Sequence, residues 1–178
     1  MKIAIAILLV CAFAVFSVRV KNQLNSKTSP LTEVKLHQPM PDFSLPDANG
    51  QMVKLSDVSR NNQVVMINFW ASWCVPCRME MPDFEKMYAG KKARGFTILA
   101  IDEDKEREKA DAYLKSKPVT FPILIDGDGA IAKRFGIEAL PTTILVGRDG
   151  KVLRVIEGVE PYIEFVVENE LREKKHGE

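Results

Sequence analysis

One segment constrains the fold of this chain more than any other, an apolar run that leads into two cysteines. Residues 64–70 (VVMINFW) are almost continuously apolar and begin with β-branched side chains, which is typical of a strand covered on both faces. A helix is predicted to begin near Cys74, to bend at Pro82, which lacks a backbone donor, and to end near Gly90. The sequence therefore predicts a central strand that delivers Cys74 and Cys77 to a helix N-terminus.

Strands and helices alternate through the rest of the folded part. Residues 42–45 and 52–55 alternate in period two around a turn signal at 47–50, which predicts a hairpin. Strands are predicted at residues 96–101, 121–125, 142–146 and 152–156. Helices are predicted between and after them at residues 103–117, 130–135 and 162–171, the second of them short. This order predicts a mixed α/β sheet with helices on both faces.

Composition excludes several classes of protein. The 178 residues are 46% hydrophobic and 28% charged, which suits one globular domain. The 25 Lys and Arg residues nearly balance the 24 Asp and Glu residues, so the charge pattern does not indicate a nucleic-acid binder. The two histidines, His37 and His176, lie near the chain ends and argue against a histidine-based catalytic or metal site. Three cysteines are too few for the disulfide scaffold of a small secreted protein.

The placement of the cysteine pair indicates thiol chemistry. A thiolate in the first turn of a helix faces unpaired backbone N–H groups and the positive end of the helix dipole, which lower its pKa. Cys74, the outer residue, is expected to attack, and Cys77, one turn inside and more buried, is expected to resolve the mixed disulfide.

Other uses of a C-x-x-C pair are less favoured by this sequence. A structural zinc site needs four ligands, and Cys11 and the histidines lie far from the pair in the chain. Covalent haem attachment needs a histidine after the second cysteine, where Arg78 stands. A purely structural disulfide across three positions would close too small a loop to stabilise the fold much.

Two further residues stand in positions suited to this chemistry. Glu80 lies three residues after Cys77, so helical geometry places both on one face, although an exposed helix glutamate is the more ordinary interpretation. Pro141 precedes the strand predicted at 142–146 and is compatible with either a trans strand start or a cis turn.

The N-terminus carries a membrane-directing segment. Residues 3–18 are uncharged and almost entirely apolar, slightly short of the ~17–25 residues that a spanning helix needs. We expect an uncleaved anchor, because the only A-x-A match, at residues 12–14, lies inside the apolar run. A cleaved signal peptide is the alternative. Val10 precedes Cys11 where a lipoprotein would need a small residue, which favours Cys11 as a buried apolar side chain.

Three segments together resemble a known family. They are FWASWCVPCRMEMP at residues 69–82, DFSLPDANGQMVKLSDV before it and GIEALPTTILVGRDGKV after it. In this order they resemble the thioredoxin superfamily, and specifically the membrane-anchored thiol–disulfide oxidoreductases of the TlpA/ResA/DsbE-like group. The resemblance covers roughly residues 38–171.

The resemblance implies a thioredoxin fold with an N-terminal β-hairpin extension, and it implies roles for individual residues. Pro141 would be cis and lie beside the disulfide, and the backbone of Leu140 would pair with an extended substrate. Glu80 would be a buried acid–base group. The buried aspartate of cytosolic thioredoxins corresponds to Asn68, which cannot take a proton, so Glu80 is expected to be the only carboxylate for that role.

The expected organisation is an anchor at residues 1–20, a polar tether at 21–37, a thioredoxin-like domain at 38–172 and a charged tail at 173–178. Lys2 and the α-amino group on one side of the apolar run balance Arg19 and Lys21 on the other, so charge alone barely sets the orientation. We expect the catalytic domain outside the cytoplasm, because the segment is synthesised first and because the family is arranged so.

We expect a reductase of disulfides in client proteins, needing no metal or cofactor, recharged by an upstream membrane thiol reductant and monomeric. Its clients could include those of cytochrome c maturation. Thr142 would help Leu140 and Pro141 shape the docking groove. Trp73, Val75 and Pro76 would surround the disulfide, while Trp70 fits rim or core equally well. A thiol oxidase or isomerase is the main alternative. A peroxidase, to which residues 42–50 are also similar, and a redox-inactive binding module are further alternatives.

Overall fold

The computed structural model describes residues 34–173, which contain seven strands and five α-helices in the order expected of a thioredoxin fold. The strands are β1 (Ser44–Pro46), β2 (Met52–Lys54), β3 (Val64–Trp70), β4 (Phe96–Asp102), β5 (Ile123–Ile125), β6 (Thr142–Gly147) and β7 (Val152–Glu157). The helices are α1 (Leu55–Arg60), α2 (Val75–Lys91), α3 (Arg107–Ser116), α4 (Ala130–Phe135) and α5 (Ile163–Glu173).

A five-stranded mixed sheet forms the centre, with the strand order β5-β4-β3-β6-β7. Strands β3, β4 and β5 are parallel, and β6 and β7 are antiparallel to their neighbours. All seven residues of β3 are buried, as the apolar run predicted. The carboxyl ends of the parallel strands lie at one edge of the sheet, where Trp70 pairs with Asp102. The chain leaves this edge toward the two cysteines.

The side chains of β3 alternate between two hydrophobic layers. Val64, Met66 and Trp70 face a layer formed with α2, α3 and α5, whose buried members include Met81 and Phe84. The opposite layer joins β3 to the hairpin, α1 and α4, through the side chains Val65, Ile67, Phe69, Phe43, Leu55 and Phe135. The predicted mixed sheet with helices on both faces and an N-terminal hairpin is therefore confirmed.

Two of the element boundaries that differ from the predictions affect the core and the site. Leu55, predicted to end a strand, begins α1 instead and buries its side chain in the second layer. Helix α3 begins at Arg107 rather than near Glu103. The backbone N–H of Glu103 donates to the carbonyl of Trp70 at 2.9 Å, and the Asp104 carboxylate binds Ser72. These contacts hold the residues after β4 in a loop.

The predicted anchor, most of the tether and residues 174–178 lie outside the described residues. Among the helices within residues 34–173, none combines the length and the apolar character needed to cross a bilayer.

Candidate active site

The two cysteines form a disulfide at the start of α2. Their Cα atoms lie 5.3 Å apart. Cys74 is the N-cap residue, and its Sγ accepts a hydrogen bond from the backbone N–H of Cys77 at 3.3 Å. The cap is further held by the carbonyl of Cys74, which accepts from the N–H of Arg78 at 3.1 Å. The structure therefore places Cys74 where the helix N-terminus stabilises a thiolate.

Cys74 is more exposed than Cys77, as predicted, although both residues are buried. Cys74 is 5% exposed and Cys77 is 2% exposed in this oxidised form. The difference in exposure is small because both side chains pack within the first hydrophobic layer. The first turn of α2 contains no acidic residue, so no carboxylate of that turn opposes a thiolate at Cys74.

A buried aspartate that sequence reasoning missed holds the loop before the disulfide. Asp104 is 3% exposed, and its carboxylate accepts from the backbone N–H of Ser72 at 2.6 Å and from the Ser72 hydroxyl at 2.8 Å. The N–H of Asp104 in turn donates to Asp102 at 3.0 Å. These contacts position the segment two residues before Cys74. The signal in the sequence was the Asp-Glu-Asp run at residues 102–104, which begins at the last residue of β4.

Glu80 lies half-buried on α2. It lines a cavity of about 330 Å³ between α2 and residues 159–164, and its Oε2 atom is buried without a hydrogen-bond partner among residues 34–173. Burial raises the pKa of Glu80 to about 7, an effect partly offset by a hydrogen bond from the backbone of Glu160. The carboxyl group is therefore able to gain or lose a proton near neutral pH, and its role in transferring a proton at Cys77 stays a prediction.

The segment before β6 carries the expected cis proline. The Leu140–Pro141 peptide bond is cis, which decides between the two isomers that the sequence left open. The Thr142 hydroxyl donates to the carbonyl of Ala139 at 2.8 Å. Within residues 34–173, the backbone N–H and C=O of Leu140 have no hydrogen-bond partner. The partly exposed Leu140 therefore offers free backbone groups to another chain.

Apolar side chains surround the disulfide on the surface. Trp73 is 65% exposed and Val75 is 55% exposed. Pro76, which lies between the two cysteines next to Val75, is also exposed. Trp70 is fully buried, which places it in the core rather than at the rim. Asn68 is buried beneath, and its amide donates to the Thr143 hydroxyl at 3.0 Å.

Other carboxyl groups with a raised pKa stand at the ends of the neighbouring strands, and the expectation that Glu80 is the only carboxylate for the acid–base role stays a prediction. Asp102 is the last residue of β4, Glu103 follows it, and Asp126 follows β5, all beside the end of β3. Burial, which is the largest effect on each, raises the pKa of Asp102 to about 7, that of Glu103 to about 9 and that of Asp126 above its usual range. The topology gathers these carboxyl groups because parallel strands end at the same edge of the sheet.

No group of three histidine, cysteine, aspartate or glutamate side chains within residues 34–173 is arranged to hold a metal ion. The acidic residues at the sheet edge therefore do not form a recognisable metal centre.

Comparison with known proteins places the chain in a family. The AhpC/TSA family model matches residues 36–155. The thiol-disulfide oxidoreductase ResA of Bacillus thuringiensis subsp. konkukian is 34% identical over 126 residues, which cover 71% of this chain and 72% of that protein. ResA of Bacillus subtilis is 35% identical over 118 residues, covering 66% of this chain and 65% of that protein.

A solved structure is similar over most of the described residues. A crystal structure assigned as the thiol:disulfide interchange protein DsbE of Chlorobium tepidum has a TM-score of 0.71 at 35% identity, and the match covers 79% of this chain and 98% of that one. The cysteine pair at the helix N-terminus and the cis proline lie within residues 36–155, which the family model matches. The chain therefore belongs to the AhpC/TSA family and is a thioredoxin-fold thiol–disulfide oxidoreductase.

Proposed function

We propose that this chain is a membrane-tethered, extracytoplasmic reductase of disulfides in client proteins. The observation that carries the proposal is the Cys74–Cys77 disulfide at the N-terminus of α2, with an exposed apolar rim on one side and the free backbone of Leu140 before a cis proline. This surface suits a macromolecular substrate better than a small molecule, because its apolar rim and free backbone groups are open to another chain.

The reaction transfers two electrons from the dithiol form of the chain to the client. The Cys74 thiolate attacks one sulfur of the client disulfide, and the other client cysteine leaves as a thiolate that takes a proton from water. Cys77 then attacks the Cys74 sulfur, which breaks the mixed disulfide and releases the second client thiol. The Cys74–Cys77 disulfide remains, and an upstream membrane thiol reductant returns it to the dithiol.

Client docking uses the groove around the cis proline. The backbone of an extended client segment forms hydrogen bonds with the free N–H and C=O groups of Leu140, as a peptide does when it adds as a strand to the edge of a sheet. Trp73, Val75 and Pro76 cover the client disulfide from the other side. Thr142, tied to the carbonyl of Ala139, keeps the turn before β6 in place.

Glu80 accepts the proton that Cys77 must lose before it attacks. Its pKa near 7 matches the operating pH of a general base. The position of Glu80 one helical turn after Cys77 places the two groups on one face of α2, and the buried Oε2 atom has no competing partner within residues 34–173.

The cellular setting follows from the N-terminal segment. Residues 3–18 anchor the chain and residues 21–37 tether the catalytic domain outside the cytoplasm, as a single-pass monomer. In such a compartment exported thiol proteins become oxidised. Clients of this reductase are such proteins, apocytochromes c among them.

The direction of electron flow is tested by the reduction potential of the Cys74–Cys77 couple in the full-length protein, equilibrated against glutathione buffers. A reductase requires a potential near the value of about −270 mV found for thioredoxin, whereas a value near about −120 mV is that of an oxidant. A potential in the second range would overturn the proposal. In cells, Cys77→Ser should trap clients as mixed disulfides, and Cys74→Ser, the matched control, should trap none.

A further inference from the structure

A cleft lies beside Trp73, the residue before Cys74, and shares no lining residue with the cavity at Glu80. It has a volume of about 290 Å³, below the ~300–1,000 Å³ typical of pockets for drug-sized ligands, and suits a single side chain. We call it the acidic cleft, and the residues that line it include Trp73, Glu103, Lys105, Asp128, Glu138 and Leu140. Trp73 precedes Cys74 and Leu140 precedes the cis proline, so the acidic cleft opens where a docked client must pass.

Negative charge dominates this lining. Three carboxyl groups, those of Glu103, Asp128 and Glu138, face one ammonium group, that of Lys105. Within residues 34–173, no ion pair neutralises Asp128 or Glu138. Even with Glu103 protonated, two carboxylates oppose one ammonium group. The acidic cleft therefore favours a cationic occupant.

Glu103, which lines the acidic cleft, and the neighbouring Asp126 both hold buried polar atoms that lack donors. Burial, and after it the neighbouring charge of Asp126, raises the pKa of Glu103 to about 9. The Oε1 atom of Glu103 and the Oδ1 atom of Asp126 are buried and receive no hydrogen bond from another residue among 34–173. Asp126 is only 2% exposed. A cation that enters the cleft would supply donors to Glu103 and allow its proton to leave.

We propose that the acidic cleft binds an arginine or lysine side chain of the client, close in sequence to the client's disulfide. The proposal rests on the proposed reductase function, and it names the clients that the reductase prefers. Client segments with a basic residue beside the cysteine place that residue between Trp73 and Leu140 while the disulfide lies over Cys74. Segments with an acidic residue there meet Asp128 and Glu138 and are rejected.

The test uses three disulfide-bonded peptides that differ only at one position two residues from a cysteine, where they carry Arg, Gln or Glu. The full-length protein is reduced with dithiothreitol, freed of the reductant and mixed with excess peptide. The second-order rate constant for formation of the Cys74–Cys77 disulfide is measured. The Arg peptide should react roughly tenfold faster than the Gln peptide, as expected for one partly desolvated charge pair, and the Glu peptide should react more slowly than either.

The double variant Asp128→Asn/Glu138→Gln should reduce the Arg-to-Gln ratio to below about twofold. The ratio cancels any uniform loss of activity in the variant. The control Asp57→Asn/Glu108→Gln removes the same charge from α1 and α3, outside the acidic cleft, and should keep the wild-type ratio. Equal rates for all three peptides in the wild type would overturn the cleft proposal and leave the reductase intact. Failure to reduce any peptide would count against the reductase itself.

A pH series tests the role of Glu103. The groups that face Glu103 are Asp102 at the end of β4, Asp126 and Asp128 after β5, and Lys105 in its own loop. The Arg-to-Gln ratio should rise between pH 7 and pH 9 as Glu103 loses its proton more easily, and Glu103→Gln should abolish this rise. A wild-type ratio that does not change with pH would overturn the contact between the client cation and Glu103.

Discussion

Replacing Glu80 with glutamine removes a charge that the fold tolerates poorly. The pKa of Glu80 is raised from 4.5 to about 7 by burial, so the native state holds this proton more tightly than the unfolded chain does. At ~1.36 kcal/mol per pKa unit the difference corresponds to about 3 kcal/mol. Because Glu80 is only half-buried, solvent screening reduces this to roughly 1–2 kcal/mol.

The sign of the effect follows from linkage. The contribution of Glu80 to stability is fully present below pH 4.5, where the carboxyl group is protonated in both states, and is lost as the pH rises through 7. Glutamine stays neutral throughout. Glu80→Gln should therefore match the wild type at pH 4 and exceed its free energy of unfolding by roughly 1–2 kcal/mol at pH 8.

Urea unfolding of the oxidised full-length protein in mild detergent measures this difference at the two pH values. Asp83→Asn is the matched control, because Asp83 is an exposed carboxylate on the same helix that pairs with Lys86, and its replacement should change stability by less than ~0.5 kcal/mol at either pH. A stability difference for Glu80→Gln that is the same at pH 4 and pH 8 would refute the reasoning, since it could not arise from the carboxyl charge.

The same variant reports on catalysis. Loss of the transferable proton should slow turnover by about 10²-fold, the effect typical of removing a general acid–base group, and it should shift the apparent titration of the thiols downward because an ionised carboxylate no longer opposes the thiolate. The pH dependence of Cys74 alkylation is compared in wild type and variant. Superimposable curves with unchanged turnover would remove Glu80 from the mechanism and leave the proton to water.

Three other perturbations address the remaining parts of the site. In the reduced protein Cys74 should be alkylated much faster than Cys77 at neutral pH, because it caps α2; equal labelling would contradict the assigned roles. The full-length protein should remain with membranes after a high-salt wash and lose its catalytic domain to external protease, whereas a soluble form beginning near Val15 would indicate a cleaved signal. Asp104→Ala should destabilise the fold by about 1–3 kcal/mol in urea unfolding, because the partly buried Ser72 groups lose their acceptor; an unchanged midpoint would show that the contact does not hold the loop.

The sequence alone determined the elements that depend on local patterns. The apolar run at residues 64–70 became β3, the cysteines fell at the start of α2, and the short helix at residues 130–135 formed as predicted. These features follow from hydrophobic periodicity and from helix-terminus signals, which act over a few neighbouring residues. The cysteine pair was therefore recognisable as a reactive site before any contact was known.

The tertiary structure decided the features that join distant residues. The isomer of Pro141 depends on what surrounds the turn, and both isomers were compatible with the residues alone. The hydrogen bonds between Ser72 and Asp104 hold the residues after β4 in a loop, so α3 begins at Arg107 instead of near Glu103. Likewise, Glu103 and Asp126 lie close enough for the charge of one to affect the pKa of the other only because parallel strands bring their carboxyl ends to one edge of the sheet. The acidic cleft beside the disulfide exists for the same reason, since its carboxyl groups come from loops that only strand pairing places together.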